Sequence, residues 1–191
     1  MPATGPDDVL HFWFGPPDRI QTPREPWFRK SPDFDGEIRN RFLATHAVAV
    51  AGGLDAWRQA PRSALALAVV LDQFSRNLFR ETPEAFAADG KARGLARHII
   101  ASGWDRQFTP LERQFVYLPF EHSETLADQE DALRLFSDLR QFPETADLYT
   151  WAEKHHRVIA RFGRFPHRNA VLGRDSTDEE LAFLKEPGSR F

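Results

Sequence analysis

The run from Ala64 to Leu71 is apolar at every position and closely follows Ala60-Pro61. A helix of that kind has no polar face to turn to water, so it must lie at the centre of a body that covers it on several sides. The rest of the chain has to supply that cover, and its apolar residues are spaced to do so as helices. Phe34, Ile38 and Phe42 recur every four residues. Ala92, Leu95, Ala96 and Ile99 follow the i, i+3, i+4, i+7 rule, as do Ala132, Leu135, Phe136 and Leu139. Leu148, Ala152, His155, Ile159 and Phe162 continue it on a further segment. Val and Ile are few, and no stretch alternates long enough to predict a strand.

Proline marks where these helices begin. It follows a small or capping residue at Ser31-Pro32, Ala60-Pro61, Thr82-Pro83 and Thr109-Pro110, positions where its missing N–H has no intrahelical partner to lose. Thr109 to Glu112 and Ser176 to Glu179 read as capping boxes. The pattern predicts helices near 7–14, 32–51, 61–79, 83–102, 110–118, 124–140, 144–162 and 177–185, with Pro119 ending or kinking the fifth. Connections are short, so consecutive helices are expected to pack as antiparallel hairpins. A compact orthogonal bundle is the second architecture. Either way the expectation is one all-α domain over 1–191, with a body at 7–186 and a tail at 187–191. Residues 15–31 form the longest irregular stretch, which Trp27-Phe28 should dock onto the body. Gly90 and Gly94 lie four apart within one predicted helix and read either as a close approach of a neighbour or as tolerated on an exposed face.

Charge and composition narrow the function. The 25 Lys and Arg residues are nearly balanced by 28 Asp and Glu, for a net charge of −3, which argues against nucleic acid or an anionic membrane as partner. The absence of cysteine excludes a thiol nucleophile, a zinc–thiolate site and an iron–sulfur cluster. Eight apolar residues fall far short of a membrane span, and the first residues lack the layout of a signal peptide. A cytoplasmic protein without cofactor or metal is expected.

Three polar motifs could carry chemistry. In Leu71-Asp72-Gln73-Phe74-Ser75-Arg76-Asn77-Leu78-Phe79-Arg80, the residues Asp72, Arg76 and Arg80 share one broad face with Gln73 and Asn77. Such a ladder at the end of a buried helix must be hydrogen-bonded to a ligand or within the protein, and the internal network is the favoured alternative. In Phe162-Gly163-Arg164-Phe165-Pro166-His167-Arg168-Asn169, aromatics and proline should pin a loop that presents His167, Arg168 and Asn169, a set suited to a carboxylate or phosphate. That loop could equally dock on Asp72 or Glu124 and simply close the fold. In Pro119-Phe120-Glu121-His122-Ser123-Glu124, Ser123 reads as an N-cap and Glu124 as a favourable charge beside a helix N-terminus, leaving His122 unexplained. His155 reads as a core histidine. The aromatic run Phe12-Trp13-Phe14 with Trp27 and Phe28 reads as core, or as a homo-oligomer contact where it is exposed.

Taken in order, Leu71-Asp72-Gln73-Phe74-x-Arg76-Asn77, Phe120-x-His122-Ser123-Glu124 and Arg164-Phe165-Pro166-His167-Arg168-Asn169 resemble the bacterial domain-of-unknown-function family 924. Val9-Leu10-x-Phe12-Trp13-Phe14 is similar to that family's opening segment. The resemblance runs from about Asp8 to Lys185 and implies a tetratricopeptide-like fold, a right-handed array of about eight helices. It brings no activity or ligand with it.

The leading expectation is a concave polar site in which Asp72, Gln73, Arg76, Asn77, Arg80, His122, Glu124, His167, Arg168 and Asn169 converge on a small anionic ligand or a peptide carboxylate. A hydrolase-type enzyme using His122 or His167 as acid–base group is one alternative. A scaffolding protein whose polar motifs are structural is the other.

Overall fold

The structure is a computed structural model that describes residues 4–16 and 22–189. Its helices are α1 (Pro6–Phe14), α2 (Pro32–Val50), α3 (Pro61–Val69), α4 (Ser75–Leu78), α5 (Asp89–Ala101), α6 (Pro110–Glu121), α7 (Leu126–Ser137), α8 (Leu148–Phe162) and α9 (Asp178–Phe183). A π-helical turn, Val70–Phe74, joins α3 to α4 without a break. With that rod over 61–78 taken as one, the described residues hold eight helices and no strand, as the spacing predicts.

The centre is where the apolar run requires it. Ala64 to Val69 are all buried, and α3 packs against α1, α5 and α6. Aromatic rings fill the space between α1, α2 and the turn. Phe12 stacks on Phe34 at 5.2 Å, and Trp13 stacks on Trp27 at 6.0 Å. Trp27 meets Phe115 of α6 edge-on at 4.9 Å. The segment after α1 docks by satisfying free carbonyls at that helix's end. Arg24 Nη1 donates to Phe12 O (2.6 Å) and Trp13 O (2.7 Å), and Trp27 Nε1 donates to Trp13 O (3.1 Å). Trp27 is buried as expected, whereas Phe28 stays 62% exposed. Residues 17–21 of the irregular stretch lie outside the described residues.

Several helix boundaries differ from the sequence reading. Thr82-Pro83 begins only a 3-10 turn, Pro83–Ala85, and α5 starts at Asp89 rather than at 83. Phe142-Pro143 behaves alike, with a turn at Pro143–Thr145 before α8 begins at Leu148. Proline at a first position fixes one φ but not how many residues beyond it stay helical. Conversely, α6 runs through Pro119 to Glu121 instead of stopping at 118. Every residue from Leu111 to Glu121 is buried, and that packing offsets the ~3 kcal/mol cost of an internal proline.

The caps also differ in part. Ser31 and Thr109 cap α2 and α6, the latter in a full box with Glu112. The last box is Thr177 with Glu180, one residue later than expected. Thr125, not Ser123, precedes α7; Ser123 Oγ instead donates to Asp128 Oδ2 (2.6 Å) and accepts from Thr125 N (3.2 Å). A Cβ at Gly90 or Gly94 would meet nothing within 4 Å, so no neighbour approaches there. Of the expected tail, Ser189 is buried and donates to Leu184 O (3.2 Å), while 190 and 191 lie outside the described residues.

Candidate functional site

The π turn sets the site's geometry. Side chains from the next turn take up carbonyls of the widened one: Ser75 Oγ donates to Leu71 O (2.7 Å) and Arg76 Nη1 to Asp72 O (3.0 Å). Asp72 is thereby held inside the protein, 1% exposed, with its carboxylate directed at the end of α6. Its Oδ1 lies 2.8 Å from His122 Nδ1 and 3.1 Å from Arg76 Nη1, and its Oδ2 accepts from Gln73 Nε2 at 2.5 Å. Burial alone would raise the Asp72 pKa, but Arg76 and His122 more than reverse this and hold the carboxyl far below its usual range. A carboxylate only accepts hydrogen bonds, so His122 Nδ1 carries the proton and Nε2 keeps its lone pair. Among the described residues nothing hydrogen-bonds that Nε2. Burial and the nearby Arg76 cation hold His122 below its ordinary value against the pull of Asp72, leaving the ring neutral at pH 7.

His122 lines a hollow of about 670 Å³. Its polar lining includes Gln73, Arg76, Gln114, Glu121, His122, His155, His167 and Arg168. Phe86, Leu118, Phe136, Leu148 and Trp151 are among its apolar residues, and Trp27, Phe28, Lys30, Asn77, Arg80, Glu81, Ala85 and Val171 complete the lining. Arg76 makes a two-bond contact with Asp89 (3.0 and 3.2 Å). Arg168 has a looser place. Its Nη1 lies 3.6 Å from the same Asp89, and its guanidinium sits 4.5 Å from the ring centres of both Phe86 and Phe165. Its Nε has no hydrogen-bond partner among the described residues. Burial and repulsion from Arg76 pull the Arg168 pKa down to about 10.

A second pair, Glu121 and His155, lines the same hollow. His155 Nδ1 is 2.9 Å from Trp151 O and 3.1 Å from Glu121 Oε1. The carbonyl can only accept, so Nδ1 bears the proton here too. Burial, helped by the charge of Asp72, pushes Glu121 up to about 8; burial draws His155 down to about 3. Both groups are neutral at pH 7.

Seven of the ten expected residues therefore line one hollow: Gln73, Arg76, Asn77, Arg80, His122, His167 and Arg168. Two of these, Asn77 and Arg80, are engaged with Asp35 of α2 (2.8, 2.6 and 3.0 Å) and fasten α2 to α4. The other three do not line it. Asp72 stands behind His122. Glu124 takes both Nη groups of Arg174 (2.7 and 2.9 Å) and the Phe165 N–H (2.8 Å), closing the loop onto the body. Asn169 is fully buried and donates to Ser176 Oγ (3.0 Å) and Glu180 Oε2 (3.3 Å). The third motif is thus divided, with His167 and Arg168 on the hollow and Arg164 and Asn169 holding the loop through Glu180.

Sequence reasoning missed Phe86, Asp89, Gln114 and Glu121. The signal for Glu121 was its place beside His122, and for Asp89 its place at a helix start near the arginine motif. His155 is the buried, partnered histidine that its apolar stripe predicts, and it also lines the hollow. Among the described residues no group of three or more His, Cys, Asp or Glu is arranged to hold a metal ion, and no helix is long and apolar enough to cross a membrane.

No curated protein matches this chain. Among solved structures, that of the protein of unknown function ATU0120 from Agrobacterium tumefaciens is similar, at 39% identity over 94% of this chain and 96% of that chain, with a TM-score of 0.81. The family model described as bacterial protein of unknown function (DUF924) matches residues 9–188. Those residues span all three polar motifs and the opening aromatic segment, and the chain belongs to the DUF924 family.

Proposed function

We propose that the hollow binds a small molecule carrying one anionic group, a carboxylate or phosphate, on an apolar body. The observation that carries this reading is Arg168. The residue is 7% exposed, leaves Nε–H unpartnered among the described residues, and shares at 3.6 Å an Asp89 carboxylate already taken by Arg76. An anion beside it would give Arg168 a close partner of its own, since Asp89 is held by two bonds to Arg76, and charge-assisted pairing of this kind is strong where water is excluded. Phe86, Leu118, Phe136 and Trp151 offer the apolar body a surface. The volume falls in the ~300–1,000 Å³ range of small-molecule sites.

Trp27 and Trp151 both line the hollow, so ligand binding should be readable in tryptophan fluorescence. Benzoate is expected to give a saturable change, benzylamine none, and Arg168→Met to weaken benzoate at least tenfold. The reading fails if benzoate produces no saturable change or binds the variant equally well. Part of the polar sequence is better explained as structure. The Glu124–Arg174, Asp35–Arg80 and Arg164–Glu180 contacts are engaged in fastening elements together and are given no ligand role.

A further inference from the structure

We propose that His122 is a general base in this hollow and that the reaction it serves is hydrolysis of an ester bearing an anionic group. The inference rests on the binding reading above and adds chemistry to it. Asp72, buried and tied by Arg76 and Gln73, fixes the His122 ring through a 2.8 Å hydrogen bond to Nδ1. That contact selects the tautomer whose basic Nε2 belongs to a ring lining the hollow, and it stabilises the imidazolium formed when Nε2 accepts a proton.

The surroundings choose among the reactions a base can serve. The described lining residues include no Ser, Thr or Cys, so no side-chain hydroxyl or thiol is on hand to form an acyl-enzyme and water is the nucleophile. Gln114, also in the lining, is buried with its amide Nε2 unpartnered, a donor free to meet an oxygen on which charge develops. Neighbouring Glu121 and His122 are displaced in opposite directions, the carboxyl kept protonated and the imidazole kept in its unprotonated form, ready to accept a proton.

The step balances without any oxidant or reductant. Arg168 holds the anionic group of the ester. The oxygen of a water molecule adds to the acyl carbon as one of its protons passes to His122 Nε2, and the carbonyl electron pair moves onto oxygen. When that pair returns, the ester C–O bond breaks and the departing oxygen takes the proton from His122. The products are a carboxylic acid and an alcohol.

A suitable probe is 4-acetoxybenzoate, which carries a carboxylate, an aromatic ring and a reactive acetate ester. Its conversion to 4-hydroxybenzoate is followed by absorbance, and its binding by tryptophan fluorescence. The wild-type protein is expected to hydrolyse it with saturation, and benzoate to inhibit competitively. His122→Asn keeps an N–H toward Asp72 but lacks the basic nitrogen, so it should fold, bind the probe as the wild type does, and lose activity roughly 100-fold or more. Asp72→Asn should lower the rate as well, with the fold of each variant checked by its thermal unfolding. If the wild type binds the probe yet hydrolyses it no faster than His122→Asn, the catalytic inference is overturned while the binding reading stands. If the probe does not bind at all, both fall.

Discussion

Replacing Glu121 by glutamine should remove a pH dependence that the fold imposes on itself. Glu121 is buried at the end of α6, beside Asp72 and His155, and holds its proton up to about 8 against an ordinary value of 4.5. Between those values the folded chain keeps a proton that the unfolded chain has released, so stability falls as pH rises. The contribution is complete below 4.5 and gone above about 8, in all about 5 kcal/mol at about 1.4 kcal/mol per tenfold.

His155 acts in the other direction. Its ordinary 6.5 drops to about 3 in the fold, so the unfolded chain takes up a proton that the folded chain refuses, and stability falls as pH falls from 6.5. The two slopes oppose each other between 4.5 and 6.5. Above 6.5 the slope of Glu121 stands alone. Glutamine keeps the shape of the side chain and does not ionise, so the difference between variant and wild type isolates this one group. Urea unfolding at pH 5 and pH 8.5, extrapolated to water, should show that difference growing by about 4 kcal/mol in favour of Glu121→Gln. A difference equal at both pH values to within about 0.5 kcal/mol would refute the reasoning, because Glu121 would then be ionised throughout, as an ion pair with His155.

Other contacts give two more expected outcomes. Arg168→Met removes a buried guanidinium that is only loosely paired, and the melting temperature should stay level or rise by about 2–4 °C; a marked fall would assign Arg168 to the fold instead. Thr109→Ala removes the side-chain half of the α6 capping box, the hydroxyl that accepts from Glu112 N, while the backbone N–H at 109 still donates to Glu112; it should cost about 1 kcal/mol in chemical denaturation, with the midpoint displaced and the slope unchanged.

The helices themselves were legible because each carries its own spacing and, at Ser31, Ala60 and Thr109, its own start. The run from Ala64 announced the centre of the body in the same way. What escaped was set by partners elsewhere in the chain. Nothing local to Pro83 or Pro143 determines whether a turn becomes a helix. In α6, Glu112, Arg113, Gln114 and Glu121 look like a solvated face, yet all are buried because other elements close over them. The motifs around Asp72, His122 and Arg168 meet at one hollow, since three polar stretches set among aromatic anchors had to face inward. Their division of labour was not readable, because composition names a guanidinium and not the carboxylate it finds. Arg80 found Asp35, Arg164 found Glu180, and Arg76 found Asp89.

The rod over 61–78 changes character at Val70–Phe74, and the change is one of phase. An α-helix advances about 100° per residue, and a π turn admits one residue more than an α turn would. Everything beyond it is therefore indexed by that surplus residue: ahead of the turn Ala64 to Val69 are all apolar, whereas Gln73 within it and Arg76 after it look into the hollow. Deleting Val70 or Leu71 would leave the rod nearly as long and Ala64 to Val69 intact, yet swing Asp72 off His122 by roughly a quarter of a revolution. The contact between Asp72 and His122 thus fixes the length of this stretch as well as its letters.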